Sequence, residues 1–263
     1  MDEKMQIVID ALEETGAELM KIYEREYSID EKEDKSPVTE ADMMGDRMLR
    51  ERLRETGDPV LTEEVMDIDI PEGTEAIWIV DPLDGTKDFI QKTGEFSLMV
   101  ALLKDGKPVL GAVYAPAINK LWYAQEGQGA FLKTPEGTRQ IRVSDINDAQ
   151  DFRFVISRNH FRDEDKAIAD RLGISNYKKM GSVGVKFCSI AGGEAELCAY
   201  TTPKMGIWDD CASHVILKEA GGSVFDVEGN EPSYNLDSKK MEKGFIGTNG
   251  KDTKKVMEAI REG

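Results

Sequence analysis

Six consecutive residues, Asp81-Pro82-Leu83-Asp84-Gly85-Thr86, hold the densest chemistry in this 263-residue sequence. They close the apolar run Trp78-Ile79-Val80 with two aspartates three positions apart. Proline offers no N–H to a strand ladder, so a turn is expected there. Such a turn can bring both carboxylates to one side and point the Leu83 carbonyl at the same place. Hard oxygen donors gathered in this way suit Mg²⁺. Gly85 and Thr86 then open a turn or short helix whose free N–H groups can hold a phosphate oxygen. A route through a phosphorylated aspartate needs a carboxylate two positions before Asp84. That position is Pro82, so the route is excluded.

Two more acidic segments stand at the ends of apolar runs. Leu61-Thr62 leads into Glu63-Glu64, and Ile207-Trp208 leads into Asp209-Asp210. Taken singly, the glutamate pair reads as a solvated edge and Asp209 as a helix N-cap. Taken with Asp81 and Asp84, they read as one shared metal site. Other metal chemistries have no donors: only His160 and His214 are present, so a three-histidine site is excluded. The three cysteines, Cys188, Cys198 and Cys211, are odd in number, lack a C-x-x-C pair and have apolar neighbours, which points to reduced buried thiols.

The formal charge is −17, from 34 basic and 51 acidic side chains. A field of that sign repels nucleic-acid polymers and anionic membranes. It does not repel a small phosphorylated metabolite once bound divalent cations reverse the local sign. No apolar run is long enough to span a membrane, and residues 1–10 lack the apolar run of a signal peptide. A cytoplasmic protein is expected.

The elements that must position these acids follow from periodicity. Apolar residues at helical spacing predict a helix over 7–23, then an exposed loop over 30–35. Thr39 reads as the N-cap of a second helix, with Asp42 in its first turn and the body over 43–53. Strands are predicted at 60–62 and 76–80. Asp105-Gly106 marks a hairpin between 96–103 and 109–114, and further antiparallel runs follow at 121–124 and 130–132. Beyond Asp145 strands (154–157, 195–199, 224–226, 244–247) alternate with helices (164–172, 183–191, 209–220, 252–261), with Gly221-Gly222 as a helix stop. The expected class is α+β. One half, 1–145, carries most metal ligands; the other, 146–263, carries Asp209 and the substrate-side residues, and the two share one core.

The ordered motifs resemble the inositol monophosphatase family, and most closely its 3'(2'),5'-bisphosphate nucleotidase branch. They are Ser36-Pro37-Val38-Thr39-x-Ala41-Asp42, Thr62-Glu63-Glu64, Trp78-x-Val80 through Phe89, Gly94-Glu95-Phe96, Gly111-x-Val113-Tyr114-Ala115-Pro116, Ser157-Arg158, Lys186-Phe187-Cys188 and Trp208-Asp209. The resemblance implies a layered α/β/α/β/α sandwich around a lithium-inhibited cluster of two or three Mg²⁺ ions, in a monomer or homodimer. It implies that Glu63, Asp81, the Leu83 carbonyl, Asp84 and Asp209 are metal ligands, with Glu64 behind them. Asp42 would hold Thr86, and Thr86 would orient the attacking water. Gly85, Thr86, Lys87, Arg158, Lys186 and Asp209 would meet the substrate. The implied reaction is hydrolysis of 3'-phosphoadenosine 5'-phosphate to AMP, in sulfur metabolism. Inositol monophosphate and fructose 1,6-bisphosphate are the alternative substrates, and a non-catalytic acidic metal-binding protein is the alternative of another class. The nucleotidase branch often has an arginine after the strand at 195–199, where this chain has Tyr200-Thr201-Thr202. Arg158, Lys186 and Lys204 are the candidates to replace it.

Overall fold

The computed structural model describes residues 2–31, 37–159, 162–202 and 205–262. Helix α1 (Glu3–Tyr23) starts where Asp2 accepts the Met5 N–H, earlier than the apolar spacing alone suggests. A small ribbon, β1 (Ile29–Glu31) and β2 (Pro37–Thr39), leads to α2 (Glu40–Arg54). The loop expected over 30–35 is thus strand at its first two residues, and 32–35 fall outside the described residues. Thr39 is the N-cap of α2 as expected, and Asp42 returns the bond to the Thr39 N–H in a capping box.

Seven strands then form one sheet in chain order: β3 (Val60–Thr62), β4 (Ala76–Asp84), then, after the short helix α3 (Thr86–Ile90), β5 (Ser97–Lys104), β6 (Lys107–Ala115), β7 (Lys120–Gln125), β8 (Ala130–Thr134) and β9 (Gly137–Ile141). Only β3 and β4 are parallel. Asp105 and Gly106 both take positive φ, the turn that two-residue hairpins favour. The polar strand β9 has no alternation to betray it and escapes the sequence reading. The second sheet runs β11-β10-β12-β14-β13, from β10 (Phe154–Ser157), β11 (Tyr177–Met180), β12 (Leu197–Tyr200), β13 (Ser223–Phe225) and β14 (Phe245–Thr248). Helices α4 (Asp163–Leu172), α5 (Val183–Ala191), α6 (Cys211–Glu219) and α7 (Thr253–Arg261) complete the described elements.

The layering follows from strand alternation. Along β4, Trp78 and Val80 face α1 and α2, whereas Ile77 and Ile79 face α5 and α6. Along β12, Cys198 and Tyr200 face the same central helices, whereas Leu197 and Ala199 face α4 and α7. The result is helix, sheet, helix, sheet, helix. Each wholly buried Leu, Val or Phe of these layers stabilises by roughly 1.5–3 kcal/mol before entropy is counted. The central layer joins residues from both sides of Asp145 in one core.

Candidate metal centre and active site

The acids converge because the ends of β3 and β4 meet the turn that precedes α6. Strand β4 does not stop at Pro82 as expected; it bulges. Asp81 pairs with Met99 and Asp84 with Ser97, so three steps along β4 answer two along β5. The extra residue turns both aspartates toward one place while their backbones stay in the sheet. Glu63 follows β3 directly and donates its N–H to the Val80 carbonyl at 3.0 Å. Behind it, Thr62 donates to Asp46 of α2 at 2.5 Å and accepts the Val65 N–H at 2.9 Å, which fixes the Glu63-Glu64 turn. Asp209 does not cap α6. Asp210 holds the N-cap position, and Asp209 lies in the preceding turn with its side chain accepting the Gly206 N–H at 2.6 Å.

Asp81, Asp84 and Asp209 each present a carboxylate oxygen within 4.8 Å of the others. Each is also held through one oxygen by a protein donor. Asp81 accepts from the Leu83 N–H at 3.0 Å, Asp209 from Gly206, and Asp84 from the Ser182 hydroxyl at 2.5 Å and the Gly184 N–H at 2.8 Å. A carboxylate gripped at one oxygen is aimed with the other. Burial pushes the Asp81 carboxyl well up, and the charges of Glu63, Asp84 and Asp209 push it further. Burial, Glu63 and Asp84 do the same to Asp209. Among the described residues none of the three makes an ion pair. Hard oxygen donors, crowded and unneutralised, fit a divalent cation, and such an ion relieves the repulsion that otherwise raises these groups.

Beside the cluster, the Thr86 hydroxyl lies 3.0 Å from Asp42 Oδ1 and 3.2 Å from the Leu83 carbonyl. The other Asp42 oxygen accepts from the Thr39 N–H and hydroxyl, both at 2.6 Å. Burial raises the Asp42 carboxyl against these stabilising bonds. Gly85, at φ 93°, packs so closely that an added Cβ would sit 3.1 Å from the Glu95 carbonyl. That left-handed turn is what starts α3 and places Thr86.

The expected substrate residues divide. Lys87 is exposed on α3. Arg158 donates to Glu95 at 2.7 Å and lies 3.4 Å from Asp88, so its charge is already answered by two carboxylates. Lys186 is neither a surface lysine nor open to a phosphate: it is 2% exposed, and its Nζ donates to the Met180, Gly181 and Ser182 carbonyls. Lys204 lies outside the described residues. At Thr202, where the expected arginine is missing, a guanidinium arrives from another element: Arg162, the N-cap residue of α4, donates to the Thr202 hydroxyl at 2.7 Å. Ser182, Gly184 and Ser97, which surround the outer Asp84 oxygen, were not legible as site residues. The small-residue run Gly181-Ser182-x-Gly184 ahead of a helix was the available signal.

The chain and its fold have counterparts among known proteins. A model of the inositol monophosphatase family matches residues 1–262. The 3'(2'),5'-bisphosphate nucleotidase CysQ of Salmonella typhimurium is 37% identical over 237 residues, 88% of this chain and 93% of that protein. The protein of the same name from Escherichia coli K12 is 36% identical over 235 residues, with coverage of 88% and 93%. Among solved structures, the Thermotoga maritima IMPase superposes with a TM-score of 0.84 at 28% identity, covering 99% of this chain and 98% of that one. CysQ from Bacteroides thetaiotaomicron superposes with a TM-score of 0.79 at 31% identity, covering 94% and 97%.

Proposed function

The chain belongs to the inositol monophosphatase family, and from that premise we propose that it is a Mg²⁺-dependent 3'(2'),5'-bisphosphate nucleotidase, hydrolysing 3'-phosphoadenosine 5'-phosphate to AMP and phosphate. The carrying observation is the convergence of Asp81, Asp84 and Asp209 within 4.8 Å, beside the paired Asp42 and Thr86. Relatives of 36–37% identity across 88% of the chain carry the nucleotidase name, which favours that substrate within the family.

Asp81, Asp84, Asp209, the Leu83 carbonyl and Glu63 would hold two or three Mg²⁺ ions. When bound, such ions supply an acidic water near neutral pH and neutralise charge on the phosphate and the leaving oxygen. The protein's own groups do the rest. Asp42 accepts the hydrogen bond of the Thr86 hydroxyl, which leaves that hydroxyl's lone pairs to accept from the attacking water and fix its approach. The helix start after Gly85 would turn its N–H groups toward a phosphate oxygen. No phosphorylated side chain is required. Simple ion storage would need neither Asp42 nor Thr86, which argues against a purely metal-binding protein. The same reading makes the enzyme cytoplasmic, as a monomer or homodimer acting on a small metabolite. Its three cysteines are free and buried, and no helix among the described residues is long and apolar enough to cross a membrane.

Phosphate release from 3'-phosphoadenosine 5'-phosphate, inositol 1-phosphate and fructose 1,6-bisphosphate, with Mg²⁺ and then with EDTA, tests the proposal. The expected result is Mg²⁺-dependent release with the highest kcat/KM on the bisphosphate nucleotide. Preference for inositol 1-phosphate would move the enzyme to the other branch; release unaffected by EDTA would remove the metal mechanism.

A further inference from the structure

Lys186 is an ammonium with no solvent, in a helix whose nine residues are all buried. Burial pulls its pKa down, and the charges of Asp84, Asp88 and Glu95 work against that pull. An ammonium has three N–H donors, and here three carbonyls receive it: Met180 at 3.3 Å, Gly181 at 2.9 Å and Ser182 at 2.8 Å. It therefore bends back from the first turn of α5 and ties together the backbone of the turn that precedes the helix.

That turn is strained where it matters. Ser182 sits at φ 44°, ψ 125°, a positive-φ conformation that a side chain disfavours. Serine is present because its hydroxyl is fully used. It donates to Asp84 Oδ2 at 2.5 Å, accepts the Val185 N–H at 3.0 Å and lies 2.9 Å from the Ser97 hydroxyl. Two residues on, the Gly184 N–H reaches the same Asp84 oxygen at 2.8 Å. The turn is also fastened from outside, because the Gly181 N–H donates to Glu95 at 2.6 Å, and no side chain fits at Gly181 against Asp88 and the Glu95 carbonyl.

We propose that Lys186 is a positioning residue for the metal centre: by holding the Met180–Ser182 carbonyls it keeps Ser182 and Gly184 on the outer oxygen of Asp84, and so aims the inner oxygen at the cation. This rests on the assignment of Asp84 as a ligand, and it assigns Lys186 no contact with substrate.

The test is calorimetric titration of Mg²⁺ into substrate-free wild type, Lys186→Met, Ser182→Ala and the double variant, with circular dichroism to establish folding. Each single variant should bind Mg²⁺ about 10-fold more weakly, the scale of one charge-assisted hydrogen bond. The double variant should be no weaker than the weaker single, because both act through one oxygen. In turnover, Lys186→Met should lose kcat/KM at low Mg²⁺ on mono- and bisphosphate substrates alike, and recover most of it at saturating Mg²⁺. A folded Lys186→Met with wild-type Mg²⁺ affinity would overturn the proposal, and so would additive losses in the double variant. A loss confined to the bisphosphate and indifferent to Mg²⁺ would overturn it in favour of substrate contact. If Lys186→Met does not fold, Lys186→Gln, which keeps an N–H donor, carries the same comparison with a smaller expected loss and the same contrary results. Failure of the nucleotidase reading would change the substrate panel and leave the titrations standing. Failure of the Asp84 assignment would be seen separately, as normal Mg²⁺ affinity in Asp84→Asn.

Discussion

Asp81 and Glu196 are equally hidden from solvent, at 1% and 0% exposure, yet the protein treats them in opposite ways. Glu196, just before β12, meets Arg153 in a two-pronged ion pair and accepts further bonds from the Arg153 N–H and the Ser144 hydroxyl, both at 2.7 Å. These partners hold its carboxyl below the ordinary range although burial alone would raise it. Asp81 has one backbone donor and three acidic neighbours, and is held well above that range. A buried carboxylate with its own cation belongs to the architecture. One surrounded by other carboxylates is a request for a cation from outside.

The largest effect expected from this contrast is at Asp84. Asp84→Asn keeps the side chain's size and removes a charge, so turnover should fall by about 10³-fold or more, the upper scale for losing one preorganised electrostatic group. Mg²⁺ affinity should fall with it. Saturating Mg²⁺ at about 100 times its dissociation constant should stabilise wild type by about 2.7 kcal/mol and the variant far less. Thermal melts with and without Mg²⁺ read this directly; equal stabilisation of both proteins would make Asp84 architectural, like Glu196.

Thr86→Val, next in size, removes one hydroxyl at constant shape. kcat should drop about 10²-fold with little change in substrate binding, the lower scale for one positioned polar group. Steady-state kinetics at saturating Mg²⁺ decide it. A variant with most of its kcat would show that Thr86 only braces the Leu83 carbonyl and Asp42.

Arg153→Met approaches the comparison from the other side. It leaves Glu196 buried with an unanswered charge, so stability should fall by about 2–3 kcal/mol. The figure is set low because the arginine side chain is itself 37% exposed and screened. Mg²⁺ affinity should not move. Urea unfolding and calorimetry together check it, and a loss of Mg²⁺ binding would mean the two regions are coupled.

The smallest expected effect concerns acid. Because the folded-state pKa of Glu196 is lowered, its contribution to stability is present above the unfolded value of about 4.3 and is lost as pH falls through the folded value. The stability gap between wild type and Glu196→Gln should therefore be constant near neutrality and shrink below about pH 4. Urea titrations at several pH values measure that gap, and one that widened on acidification would contradict the lowered pKa.

Some of this was present in local sequence. Asp81 through Thr86 are contiguous, so their donors could be read together, and the Thr39 cap with Asp42 in its first turn is a short-range pattern. Alternation and helical spacing located most strands of both sheets and the central helices, because those periods are set by backbone geometry alone. The polar strands β9 and β11 carried no such period and were missed. The bulge at Pro82 was misread as an end, because a missing N–H tells that a ladder is interrupted but not that it resumes.

Tertiary structure decided what spacing cannot encode. The convergence of Asp209 with Asp81 and Asp84 spans more than a hundred residues and depends on how the central helices sit against the first sheet. A lysine in sequence is a charge on a flexible four-carbon stem, equally able to face water, a phosphate or a carbonyl. Only the packed fold turned Lys186 inward onto three carbonyls and Arg162 toward Thr202. The chain by itself determined which groups could bind a cation, because ligand chemistry belongs to residue type. Which oxygen of Asp84 is gripped, and which is left to coordinate, was decided by neighbours brought from about a hundred positions away, because the direction of a carboxylate is set by its hydrogen-bond donors.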